Sequence, residues 1–188
     1  MITRARPSYL SPELSSFDAS ERSTALTRFA QAVGAPSVRR NEVGSRIANM
    51  HCHSFFSYNA LGLSPSALAV MAREEAIDLL GIVDFDVLDG VDEFLSACEL
   101  VGVRAGASIE TRLYVPEFAD REINSPGEPG ILYHMGAGFV ASQPPPAVAP
   151  LLADLKRRAR ERNEALVART NAFLAPITVD YDRDVLPL

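Results

Sequence analysis

The order of apolar and polar positions divides the chain into two textures. Residues 1–45 form a polar, Ser/Pro-containing extension with one amphipathic helix predicted over about 23–33, where Leu26, Phe29, Ala30 and Val33 share a side. From Ile47 onward strand and helix patterns alternate. A short strand leads into His51-Cys52-His53 and gives way to a Ser/Tyr/Asn/Gly loop. Ser64-Pro65 pairs an N-cap residue with proline at the first helical position, and Leu68, Met71, Ala72 and Ala76 supply the apolar face of a helix running to about Ile77. The unbroken apolar run 79–83 suits a strand covered on both faces and ends in Asp84-Phe85-Asp86. Then come a helix over 91–101, a strand over 103–109 ending at Glu110, a Pro/Gly/acid-rich loop over 116–130, and a strand over 131–133 ending at His134. Beyond Gln143-Pro144-Pro145-Pro146 the pattern is a long polar helix over about 147–174, then a strand-like 177–181. The βαβαβ alternation predicts an α/β fold whose site lies at the C-terminal ends of parallel strands.

Composition narrows the function classes. A chain of 188 residues with 47% hydrophobic content can bury a proper core, and its length suits one domain. A net charge of −6 argues against general nucleic-acid binding, which needs basic surface. No segment approaches the ~18 apolar residues of a membrane span, and no apolar run follows the basic residues at the start, so a soluble, cytoplasmic protein is expected. Two cysteines are too few for a disulfide scaffold; Cys98 shares the stripe of Val91, Phe94 and Leu95 and is assigned to the core. The basic run 156–162 is matched by i,i+4 pairs (Asp154/Arg158, Arg157/Glu161, Arg160/Glu164), the signature of a solvated helix face.

The candidate chemistry sits at the strand ends. All three histidines fall there, two of them at i and i+2, so on a strand His51 and His53 present imidazoles to one face while Cys52 points away. His51/His53, Asp84/Asp86, Glu110 and His134 end four successive predicted strands, which is where a barrel gathers catalytic side chains. Taken singly, His134 reads as an ordinary loop histidine and Glu110 as a strand-end charge; the clustering favours a metal site. Arg112, two residues past Glu110 and on the same face if the strand continues, is a candidate contact for substrate phosphate, with a plain surface arginine as the competing account. Asp84 is assigned a site role, as a group that orients a ligand or caps the next turn.

The segments His51-Cys52-His53-Ser54-Phe55-Phe56-Ser57, Ser64-Pro65, 81–91, Gly106-Ala107-Ser108-Ile109-Glu110 and Tyr133-His134-Met135-Gly136, in this order, resemble the first half of a PHP (polymerase and histidinol phosphatase) domain. The resemblance covers about residues 47–140. It implies a distorted (β/α)7 TIM-like barrel, incomplete in this chain, and metal-dependent hydrolysis of phosphate esters by a metal-activated water. By the same match His51 and His53 hold a first divalent ion (zinc, manganese or iron), Glu110 bridges to a second, and His134 holds the second. The substrate class implied is a phosphorylated small molecule or oligonucleotide.

Departures from the family pattern are specific. Phe85 stands where a metal-binding histidine is usual, and Tyr58-Asn59 where Asp or His is usual; both missing groups belong to a third metal, so two ions are expected and a third site is lost. Asn49 replaces a common aspartate before the His-x-His pair and is expected to weaken a supporting hydrogen bond. The later His and Asp-x-His ligands have no counterpart in 135–188, so the chain is expected to stop partway through a domain, under-coordinate its metal and turn over weakly. The alternative is a non-catalytic binding or regulatory domain with a degenerate site. An amidohydrolase barrel also opens on His-x-His but often uses a modified lysine, and the one lysine here, Lys156, lies in the polar helix.

Overall fold

Asp18 opens the first helix, its carboxylate accepting from the Ser20 and Glu21 N–H groups, which have no partner inside the helix. The computed structural model describes residues 7–34, 47–57 and 59–185; Tyr58 and parts of the expected extension lie outside them. The helices are α1 (Ala19–Val33), α2 (Pro65–Glu74), α3 (Val91–Val101) and α4 (Ala149–Leu174), and the strands are β1 (Ala48–Cys52), β2 (Leu79–Phe85), β3 (Arg104–Tyr114) and β4 (Ile131–Ala137). Two compact units contain them, the second beginning at Pro144. No helix among the described residues is long and apolar enough to cross a membrane.

The strands form one mixed α/β sheet in the order β1-β2-β3-β4, curled as part of a barrel. β1, β2 and β3 run parallel, with Phe85 level with Glu110. Helices α2 and α3 are the crossovers that parallel neighbours require. Ser64 caps α2 through the Ala67 N–H as its sequence predicts, and Leu68, Val70, Phe94, Cys98 and Val101 meet Leu80, Ile82 and Ala107 in the core. Burial pushes the Cys98 thiol up to about 12, in keeping with a core side chain.

β4 corrects the expected topology. It pairs antiparallel with β3, Tyr114 opposite Ile131 and Ser108 opposite Ala137. The connection contains only a single turn of 3-10 helix (Pro116–Phe118), too little for a crossover, so the chain doubles back as a hairpin. His134 therefore lies in mid-strand, and β3 continues four residues beyond Glu110 to make that pairing.

An extra residue interrupts β1. Asn49 is level with Leu80 and Cys52 with Ile82, so three steps on β1 match two on β2, a β-bulge. Gly81 makes room for it: a Cβ there would lie 2.8 Å from the Met50 backbone. Asn49 ties the bulge together, accepting from the His51 N–H (3.1 Å) and donating to Cys52 Sγ (3.1 Å). An aspartate could keep the second contact only by accepting from the thiol, so with asparagine the side chain is the donor and the Cys52 sulfur the acceptor.

The N-terminal helix is fastened to this unit by a partly buried ion pair. Arg22, 4% exposed, donates to Glu93 of α3, and Glu93 also accepts from the Ser66 N–H and hydroxyl at the start of α2. The same guanidinium lies 5.2 Å from the Phe55 ring centre, and Phe55 stacks on Phe17.

In the second unit, α4 carries the expected ladder of Arg157, Arg158 and Arg160 paired with Asp154, Glu161 and Glu164. The strand-like 177–181 is corrected. With no strand paired to it among the described residues, the Val179 backbone is satisfied by the Asn171 carboxamide, and a π turn follows over Tyr181–Val185.

Candidate metal centre

Two histidines converge on one carboxylate oxygen. His51 Nε2 lies 3.1 Å and His53 Nε2 3.4 Å from Glu110 Oε2, and one ligand atom from each residue lies within 4.8 Å of the other two. Metal bonds of ~2.1 Å at tetrahedral angles set neighbouring ligand atoms ~3.4 Å apart, so this donor set fits a divalent ion. It is the one such group of three among the described residues. The bulge delivers the pair: Cys52 sits level with Ile82, and burial raises its thiol, while the two imidazoles turn to the other face, with ring centres 5.3 Å apart. The Glu110 side chain is only 9% exposed and that of His51 is 49% exposed, which leaves a solvent side for a further ligand.

His134 is not brought to this group. It pairs across the hairpin with Thr111, the residue after Glu110, so its side chain belongs to the opposite face of the sheet and is exposed. The antiparallel turn that sequence reading missed accounts for this placement. Thr111 instead donates to Asp86 (2.7 Å), which takes a left-handed backbone (φ 59°) at the end of β2.

Phe85, level with Glu110, stacks its ring on His53 with centres 4.5 Å apart, and Tyr133 lies 6.1 Å further along. An aromatic wall thus stands on the flank where the family resemblance places a third ion. Asn59 donates to the His53 carbonyl (2.8 Å) and accepts from the Leu61 and Leu63 N–H groups, holding the loop and not facing the site.

Asp84 and Arg112 act differently from each other. Buried Asp84 accepts from the Ser54 N–H (2.6 Å), the Ser54 hydroxyl (2.7 Å) and the Ser57 hydroxyl (2.8 Å), so it organises the loop that follows His53. Arg112 shares the Glu110 face, but Glu128 engages its guanidinium, which lies 5.8 Å from the Tyr133 ring centre. The Ser125 hydroxyl, and then Arg112, hold the Glu128 carboxyl below its ordinary range.

Burial lowers the His53 pKa, against an opposing pull from Glu110. A base whose pKa is lower folded than unfolded binds fewer protons in the native state, so its contribution to stability is full above the ordinary imidazole range and is lost as pH falls. Urea unfolding of the metal-free chain is expected to show stability declining from about pH 6.5 downward, with a shallower decline in His53→Gln. Equal slopes for the two proteins would contradict this.

No protein-family model matches the chain, and no curated protein matches it. Among the solved structures that align with most of this chain are the following two. An amidohydrolase from Chromobacterium violaceum, with bound sulfate and no metal, aligns at a TM-score of 0.54 and 23% identity over 72% of this chain and 41% of its own. A candidate metal-dependent phosphoesterase from Bifidobacterium adolescentis aligns at 0.53 and 23% identity, over 73% and 42%. The chain thus spans about two fifths of the length of these structures.

Proposed function

We propose that this chain carries part of a metal-dependent hydrolase site acting on phosphate esters, with His51, His53 and Glu110 as ligands of a divalent ion. The observation that carries the reading is the convergence of both His Nε2 atoms on Glu110 Oε2 at ligand-to-ligand distances. The two fold neighbours, one described as an amidohydrolase and one as a candidate metal-dependent phosphoesterase, support hydrolysis as the reaction type. A divalent ion bound here would polarise a phosphoryl oxygen and lower the pKa of a water.

The chain's own groups divide the remaining work. His51 and His53 supply neutral nitrogen donors, and Glu110 supplies the negative charge that draws the cation. Phe85 and Tyr133 wall one flank. Arg112, two strand residues and ~7 Å from Glu110, lies within reach of a substrate phosphate once it shares its guanidinium between that phosphate and Glu128. Phosphate, rather than amide, is favoured by this arginine. The number of ions is proposed as one, since among the described residues no ligand group beyond His51 and His53 gathers with Glu110.

The test is phosphate release from a generic phosphomonoester with added zinc, manganese or iron. With three protein ligands the expected rate is slow, but it depends on metal and falls to background in His51→Ala, while Arg112→Ala raises KM several-fold. Equal rates with and without metal, or in wild type and His51→Ala, would overturn the proposal.

A further inference from the structure

The Ser57 hydroxyl has one proton, and its neighbours decide where that proton goes. Asp84 Oδ1 lies 2.8 Å away and is acceptor-only when ionised. Asp84 is buried, and the other groups bonded to it are the Ser54 N–H and the Ser54 hydroxyl. The Ser54 hydroxyl is itself committed, because its oxygen accepts from the Phe56 N–H (3.2 Å) and its proton goes to Asp84 Oδ2. Ser57 therefore also donates to Asp84, which leaves its oxygen as an acceptor towards the remaining neighbour, His53 Nδ1, at 3.4 Å.

We infer that Ser57 is a positioning residue that sets the tautomer of His53: held by Asp84, its oxygen requires Nδ1–H on the ring and leaves the Nε2 lone pair facing Glu110. The inference rests on the metal-site reading for its purpose but not for its geometry. An Nε2 lone pair and a carboxylate oxygen 3.4 Å apart repel unless a cation lies between them, so the relay from Asp84 through Ser57 prepares His53 to bind an ion and not to donate to Glu110. The ring is also clamped from its face by Phe85, which keeps it in the plane that both contacts need. Histidine at this position thus has both nitrogens assigned, one to the protein and one to the ligand.

The test uses the full chain in three forms: wild type, Ser57→Ala, and Ser57→Thr, which keeps a hydroxyl at the same branch. Nitrogen-15 NMR of metal-free protein at about pH 8, above the ordinary imidazole range, reads the ring proton directly. Wild type and Ser57→Thr are expected to show His53 as Nδ1–H, and Ser57→Ala to shift towards Nε2–H. Zinc titration by calorimetry is expected to show affinity about 10–100-fold weaker in Ser57→Ala, as for loss of a group that orients a ligand, with Ser57→Thr near wild type. Nε2–H in wild type, an unchanged tautomer in Ser57→Ala, or weakened zinc binding without a tautomer change would each overturn the inference. If wild type binds no zinc, the metal reading fails, and the tautomer result still decides the role of Ser57.

Discussion

Glu110→Ala is expected to weaken zinc or manganese binding by more than about a hundredfold, beyond the 10–100-fold typical of losing a group that only supports a ligand. Three properties single Glu110 out. It contacts both imidazoles, it carries the one negative charge of the set, and its side chain is nine-tenths shielded from solvent, so water screens its attraction for a cation less than at an exposed carboxylate. His51, half exposed, is replaceable by water more cheaply. Glu110→Gln separates charge from shape: it keeps an oxygen in place and is expected to retain part of the affinity. Calorimetric dissociation constants for wild type and both variants check this, and a change within about threefold in Glu110→Ala would remove the carboxylate from the ligand set.

The second large effect concerns stability. Asp84→Ala leaves the Ser54 N–H and two hydroxyls without their acceptor in a buried place, and an unsatisfied buried donor costs about 1–3 kcal/mol. The hydroxyls can rotate towards other partners but the N–H cannot, so the expected loss is about 3 kcal/mol in total. For a chain of this size that corresponds to a fall in Tm of roughly 6–12 °C. Asp84→Asn, which retains an acceptor, is expected to cost about half as much. Urea midpoints at constant m value measure both, and a loss under about 1 kcal/mol in Asp84→Ala would mean that the loop does not depend on this carboxylate.

Most of the elements were legible because local chemistry announces them. Ser64-Pro65 starts α2 as its cap and proline require, the stripe of Val91, Phe94 and Cys98 marks α3, and the apolar run from Leu79 marks the buried central strand. The direction of β4 was not legible from periodicity, since alternation looks the same in a parallel and an antiparallel strand. The available signal was the lack of a helical pattern over 116–130, which leaves no crossover to return the chain. Of the candidate site residues, His51, His53 and Glu110 come together and His134 does not, for that reason. The bulge was likewise hidden: nothing in Asn49-Met50-His51-Cys52 shows an extra residue until Gly81 is seen to accept the Met50 backbone. Ser57 carried a signal that was passed over, as a hydroxyl four residues after a ligand histidine is well placed to bond its ring.

The ion pair of Arg22 with Glu93 moves the boundary of the cooperative unit. Sequence texture places an extension ahead of the sheet, yet the guanidinium of that extension neutralises the carboxylate that receives the first turn of α2, and it covers the face of Phe55, two residues from His53. A chain shortened to begin at β1 would strip Glu93 of its countercharge and bare the Phe55 ring that Phe17 now shields. The piece that folds with its loop in place therefore includes side chains ahead of the sheet, from buried Leu14, whose carbonyl accepts from the Ser64 hydroxyl, to Arg22, and a dissection of this protein into parts has to cut upstream of Leu14.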